Sequence, residues 1–288
     1  KAEALRCWIR IRPDGDPFIQ TLIAYFKLNY RDGKIVEAKA YLEQSPYVHH
    51  HYFDAYERPV YVDFMLKKGT GALPVGEALI GRREKFYIQS HICSVWQNGQ
   101  YKRTRNVAEA KAGFEEMMQL LQTDYLDVGM IHYCDALSDW EEIEQGGVLA
   151  YAKELKREGR IRHIGLSSHN PQVAQRAVES GAVEVLMFSV NPVYDLQPPS
   201  ENVEDLWADE TYTNTYENMD PDRQHLYELC QRRGVGITVM KAFAGGDLLN
   251  AELSPAGVAL TATQCIHYCL TRPAAPFFPR ITGASRVI

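Results

Sequence analysis

The sequence predicts an α/β fold, a (β/α)8 barrel of TIM type with a long loop insertion after its sixth strand. Three observations predict it. From about residue 80 onward, short apolar runs alternate with amphipathic stretches, the pattern of parallel strands joined by right-handed helical crossovers. About six such steps follow residue 80, and a chain of 288 residues leaves room for two more before it. No G-x-G-x-x-G turn occurs, although a doubly wound open sheet, the competing architecture, usually carries one after its first strand.

The opening region is loosely patterned: a helical stretch over 33–44, then His51-Tyr52-Phe53-Asp54 as a strand. The run His49-His50-His51 reads as loop, because neighbouring residues on a strand point to opposite faces and cannot share one ion. Phe86-Tyr87-Ile88 is strand-like and ends at Gln89-Ser90-His91. Val107, Ala110, Phe114, Met117, Met118 and Leu121 recur at helical spacing and predict a helix over 107–122. Leu126 to Ile131 is an apolar strand ending at His132. A helix over 147–158 is stopped by Gly159. Ile161 to Leu166 is the next strand, closed by Ser167-Ser168-His169-Asn170. Pro171 opens a helix that Gly181 ends, proline first and glycine last. Val185 to Val190 follows, and then the polar segment 195–219, read as a surface loop over one barrel face. A helix over 221–233, a strand Gly236 to Met240, a glycine-containing loop and a helix over 255–271 come next. A final strand falls near Phe277 to Thr282. The whole, 1–288, reads as one barrel domain.

Composition narrows the function classes. Charged residues make up 24% and apolar residues 45%, an ordinary globular balance. The net charge of −6 leaves no electrostatic footprint for nucleic acid or an anionic membrane. No apolar run reaches the roughly 20 residues of a membrane helix, and the N-terminus lacks a signal-peptide core. Six cysteines without C-x-x-C spacing read as reduced thiols packed as small apolar groups in a cytoplasmic protein.

In barrels of this kind chemistry sits at the C-terminal strand ends. Those ends carry Asp54, His91, His132, Ser167, Ser168, His169, Asn191 and Lys241. Histidines closing three successive strands, 91, 132 and 169, can converge, since neighbouring strands lie about 4.8 Å apart.

The stretch Thr123-Asp124-Tyr125-Leu126-Asp127 with Ile131-His132, then Gly159-Arg160-Ile161-Arg162-His163-Ile164-Gly165-Leu166-Ser167, resembles the aldo-keto reductase superfamily. Gly76-Glu77-Ala78-Leu79 before Arg82-Arg83-Glu84-Lys85 adds to the likeness, which covers about residues 76–272; 1–75 and 275–288 fit poorly. The flavour is that of bacterial members often fused to a C-terminal ferredoxin-like domain, whose cysteine cluster has no counterpart here. The resemblance implies a (β/α)8 barrel that moves hydride between NADPH or NADH and a carbonyl through an Asp, Tyr, Lys, His tetrad. There the tyrosine protonates the carbonyl oxygen and the lysine, held by the aspartate, lowers the phenol pKa.

Carried over by position, the tetrad histidine is His132 and the aspartate Asp54, in Tyr52-Phe53-Asp54-Ala55. The tyrosine is Tyr61, slightly too far along, with Tyr56 too close. The lysine position holds His91, and there the departure is greatest. A permanent cation lowers a neighbouring phenol's pKa by about 1–3 pH units, each worth about 1.4 kcal/mol. A histidine, mostly neutral at pH 7, forfeits roughly ten- to a thousand-fold in rate unless it donates the proton itself.

On the cofactor side the resemblance implies NADP. Ser167, Ser168 and Met187 occupy positions that touch the nicotinamide, Met187 standing where a glutamine is usual. Lys241, Phe243, Gly245 and Gly246 lie in the loop that carries the pyrophosphate on backbone N–H groups. Gly283, Ser285 and Arg286 resemble the loop at the adenosine phosphate, where a guanidinium suits a 2′-phosphate. Substrate selection falls to Cys93 to Asn106 and 195–219, with Trp96, Tyr101, Trp207, Tyr212 and Tyr216 for stacking and Arg103 and Arg105 for a carboxylate. Two other readings stand beside an oxidoreductase for a small carbonyl or alcohol. One is a metal-dependent hydrolase, lyase or isomerase using Asp54, His91, His132 and His169. The other is a non-catalytic barrel that binds a nucleotide or partner.

Overall fold

A computed structural model describes residues 60–64, 79–97, 100–208 and 217–273. The expected helix over 33–44, the strand at 51–54, the strand near 277–282 and the sites Asp54, Gly283, Ser285 and Arg286 lie outside the described residues. The chain divides into two compact units, one of residues 1–129 with 155–162, the other of 130–154 with 163–288.

The first unit holds strands β1 (Val60–Phe64), β2 (Phe86–His91) and the start of β5 (Leu126–Ile131), in that order, with the first residues of β6 (Ile161–Ser168) next. β1 and β2 run parallel with Tyr61 opposite Tyr87. Helix α1 (Val107–Leu121) starts where Asn106 Oδ1 accepts from the N–H groups of Ala108 and Glu109. It buries Ala110, Gly113, Phe114, Met117, Met118 and Leu121, the face its spacing predicts apart from the half-buried Val107. Gly113 lets this helix approach strand β3 (Ser94–Gln97): a Cβ there would stand 2.9 Å from the Ser94 carbonyl oxygen. β3 pairs antiparallel with β4 (Gln100–Arg103). The segment read as a substrate loop, Cys93 to Asn106, is therefore largely a hairpin.

One buried carboxylate ties the lower ends of these strands. Asp127, 1% exposed, accepts from Arg83 at 2.9 Å, Arg162 at 2.8 Å and the Ile88 N–H at 2.8 Å. The same two guanidiniums lie 3.9 and 4.2 Å from the centre of the Tyr125 ring.

The second unit holds the end of β5 and β6, then β7 (Val185–Ser189) and β8 (Gly236–Met240). β6, β7 and β8 are parallel, with Ser167 in register with Met187 and Met187 with Thr238. Helices α2 (Leu137–Gln145) and α3 (Val148–Arg157) follow β5, the last three residues of α3 being counted with the first unit. α4 (Pro171–Glu179) follows β6, α5 (Pro221–Arg233) precedes β8, and α6 (Ala262–Leu270) comes last.

α2 lies between His132 and residue 147, where the sequence reading places no element. Only Trp140 and Ile143 of its nine residues are buried, too few apolar positions to show a period. α6 begins at 262 instead of 255, because Thr261 and Gln264 form a capping box there. The expected loop 195–219 includes short 3-10 turns over Tyr194–Leu196 and Val203–Leu206; residues 209–216 lie outside the described residues.

Candidate active site

The end of β5 continues as His132-Tyr133-Cys134-Asp135, held beside β6 by a 2.9 Å bond from the Cys134 N–H to the Ser167 carbonyl. His132 and Tyr133 are half-buried. Their rings meet edge to face at 5.0 Å, and Tyr133 in turn meets His169 at 6.0 Å. His132, Tyr133 and His169 thus form a row across two adjacent strand ends.

Asp135 organises the turn from β6 into α4. Its carboxylate accepts the His169 N–H at 2.6 Å, His169 Nδ1 at 2.9 Å and the Ser168 hydroxyl at 3.2 Å. Asn170 donates to its carbonyl at 2.9 Å while capping α4 through the Gln172 N–H. Burial disfavours the Asp135 charge, but the bonds and charge of His169, with the Ser168 hydroxyl, outweigh it and hold the carboxyl below its usual range.

Ser167, 2% exposed, has a hydroxyl with no hydrogen-bond partner among the described residues. Its registered neighbour Met187, 7% exposed, offers only a thioether, a weak acceptor. A buried orphan hydroxyl costs free energy unless something arrives to bond it.

After β8 the chain turns through Lys241 at φ 58, a left-handed conformation outside glycine, and again at Ala244, Gly245 and Gly246. Asn191 holds this turn, donating to the Lys241 carbonyl at 2.9 Å and accepting the Val193 and Tyr194 N–H groups at 2.9 and 2.8 Å. Lys241 is half-buried with Nζ 3.9 Å from the centre of the Trp207 ring. Burial pulls its pKa down, against the opposing charge of Asp135. Gly245 and Gly246 have open space where a Cβ would sit, so a ligand can approach this backbone closely. Phe243 is half-buried against a cluster of Val193, Tyr194, Leu206, Ala244, Leu248 and Cys265.

Beneath these loops Asp195, fully buried, accepts the hydroxyls of Tyr227 and Tyr268, the latter at 2.8 Å, with Arg223 Nη1 at 3.5 Å. Burial raises the Asp195 pKa, and Arg223 with the two phenols works against that rise. Arg223, also fully buried, donates to the carbonyls of Ser189 and Gln197 at 3.0 and 3.3 Å.

His91 closes β2 and is 4% exposed. Burial pushes its pKa down to about 4, so the ring is neutral across the physiological range. The position that the resemblance gives to a lysine therefore holds a neutral ring, not a cation, at physiological pH. Tyr61 lies within β1. Among the described residues no three of His, Cys, Asp or Glu come together to hold a metal ion, and Asp54 of the metal-ligand reading lies outside them. Burial also pushes the Cys230 and Cys269 thiols up to about 12, which makes them poor nucleophiles.

Sequence reasoning missed Asp135, Asn191's bridge and Tyr133. Asn191 was visible as a polar residue closing a strand; Asp135 carried no such signal, because its partners lie 33 to 35 residues away.

Compared with known proteins, the model of the Aldo/keto reductase family matches residues 59–265. Aldo-keto reductase YhdN of Bacillus subtilis (strain 168) is 29% identical over 127 residues, 43% of this chain and 34% of that protein. The uncharacterized oxidoreductase YqkF of the same organism is 25% identical over 133 residues, 46% of this chain and 42% of its own length. The matches thus span well under half of either relative. Aldo-keto reductase AKR11C1 from Bacillus halodurans in its holo form is 23% identical with a TM-score of 0.49, covering 66% of this chain and 54% of that one. Among the described residues no helix is long and apolar enough to cross a membrane.

Proposed function

Because the chain belongs to the aldo/keto reductase family, we propose that it is an NAD(P)H-dependent oxidoreductase for a small-molecule carbonyl or alcohol, with NADP preferred. The orphaned, buried Ser167 hydroxyl carries the reading: it stands where the family resemblance puts a nicotinamide contact and has no partner among the described residues. The residues fit the dinucleotide in two further respects. Gly245 and Gly246 leave bare backbone for a pyrophosphate, and Lys241 places a half-buried cation at the same turn. In this reading Ser167 and Ser168 hold the nicotinamide end, Gly245, Gly246, Phe243 and Lys241 the pyrophosphate side, and Gly283, Ser285 and Arg286 the adenosine phosphate.

Met187 packs beside Ser167 as an apolar wall, since a thioether offers the carboxamide at most a weak acceptor. The bound, reduced nicotinamide supplies hydride. His132 orients the carbonyl oxygen, with Asp54 and Tyr61 in the remaining tetrad roles. His91, neutral by burial, accepts or donates a hydrogen bond and supplies no cation, which is the modification of the tetrad. The reading extends to a single (β/α)8 barrel over 1–288 with a loop insertion after the sixth barrel strand. It also extends to a cytoplasmic setting, supported by the buried thiols of Cys230, Cys265 and Cys269.

Fluorescence titration of the purified chain with NADPH and NADH tests it. The expected result is binding of both with at least tenfold preference for NADPH, lost in Arg286→Ala, as a charge-assisted phosphate bond of about 1.5–3 kcal/mol requires. Equal affinities overturn the NADP preference, and binding of neither overturns the oxidoreductase reading.

A further inference from the structure

We infer that His169, anchored through Nδ1 on the Asp135 carboxylate, is a catalytic residue that exchanges a proton with the substrate oxygen through Nε2. The inference rests on the oxidoreductase reading above and gives His169 the proton transfer that a tetrad without lysine would otherwise leave to an unactivated Tyr61.

The geometry is that of an oriented base. Asp135 is buried and takes the His169 backbone N–H, His169 Nδ1 and the Ser168 hydroxyl, so neither the carboxylate nor the ring is free to turn. An acceptor-only carboxylate at 2.9 Å selects the tautomer with the proton on Nδ1 and leaves Nε2 as the working nitrogen. The same carboxylate stabilises the ring when Nε2 gains a proton, the role a buried aspartate plays behind any histidine base. The His169 side chain keeps 12% of its surface exposed, unlike the sealed His91. It stands two residues beyond the orphaned Ser167 hydroxyl on one strand end, in the same aromatic row as His132.

In the reducing direction the neutral Nδ1–H ring would first take a proton from water at Nε2, its charge held by Asp135. A bound reduced nicotinamide would supply hydride to the carbonyl carbon as the C=O π pair passes to oxygen. Oxygen would then take the Nε2 proton, giving an alcohol and returning His169 to the neutral Nδ1–H form. Alcohol oxidation runs the same steps backward, with Nε2 as the base.

Three measurements on the full chain test this. Nitrogen-15 NMR of histidine-labelled protein should show His169 with its proton on Nδ1, and Asp135→Asn should disturb that state. A wild-type ring protonated on Nε2 alone overturns the anchoring. His169→Gln and His169→Ala should bind NADPH within about twofold of wild type. With 4-nitrobenzaldehyde as probe they should turn over about 10²–10⁴ more slowly, the scale of a positioned proton-transfer group, and added imidazole should restore part of the loss in the alanine variant. Turnover within threefold of wild type, or a loss that imidazole leaves untouched while Asp135→Asn retains full rate, overturns the role. Wild-type protein that neither binds NADPH nor reduces the probe overturns the oxidoreductase reading and the inference together. Wild-type activity with equally active His169 variants overturns the inference alone.

Discussion

Replacing Arg223 by methionine removes a guanidinium 3.5 Å from the buried Asp195 carboxylate while keeping most of the side-chain volume. Both residues are fully buried, so water does not replace the lost partner, and the Ser189 and Gln197 carbonyls lose a donor as well. Stranding one partner of a buried ion pair costs about 3–5 kcal/mol. At a urea slope of about 3 kcal/mol per molar, that cost lowers the unfolding midpoint by about 1–1.7 M at pH 7. The sign of the pH dependence follows from the raised pKa of Asp195. A carboxyl whose pKa is higher folded than unfolded contributes its stability below the unfolded value, near 3.9, and loses it as pH rises through the folded one. Without Arg223 the folded pKa climbs further, so the gap between variant and wild type should be small near pH 4 and widen toward pH 7. Urea titrations followed by circular dichroism at pH 4.5, 6 and 7.5 measure it. A midpoint shift under about 0.3 M at pH 7.5, or one independent of pH, refutes the reasoning.

Three other outcomes are expected. His132→Ala should lower turnover by roughly 10²–10⁴ with little change in melting temperature, checked by steady-state kinetics and calorimetry on the same sample. His91, held neutral with its pKa near 4, stabilises the fold above the free value near 6.5 and withdraws that contribution as pH falls toward 4. His91→Asn should therefore flatten acid unfolding by about 3 kcal/mol between pH 7 and 4, read from urea midpoints. Gly113→Ala should cost about 1–3 kcal/mol, because its methyl meets the Ser94 carbonyl at 2.9 Å and strand β3 must shift; a thermal melt reads it directly.

Period and punctuation made much of the α/β alternation legible before any coordinates. β5 is fully buried along its length and β8 keeps its expected bounds; α5 runs between the proline and the glycine that bracket it. Gly234 takes φ 69 at the end of that helix, the left-handed cap glycine adopts at least cost. What escaped has a physical cause in each case. α2 rests on two buried side chains, below what periodicity detects. The hairpin of β3 and β4 was signalled by Asn98-Gly99 between its strands, but the segment was read as a substrate loop. Asp127 entered only as the last residue of a family-like motif, and its structural role was hidden because its partners Arg83 and Arg162 stand 44 and 35 residues away. His132, Ser167 and His169 were legible as strand-end residues, and the separation from burial alone of a neutral His91 from a solvent-reaching His169 was not.

The bridge from Asn191 to the Lys241 carbonyl has a consequence for how this scaffold can change. One amide side chain starts the segment that follows β7 and fixes the left-handed residue that starts the segment following β8. The two segments therefore vary as a pair. Grafting a foreign sequence into 198–202, which leaves Asn191, Val193, Tyr194, Asp195 and Leu206 in place, preserves the turn bearing Gly245 and Gly246. A graft that replaces residue 191 rewrites both segments at once.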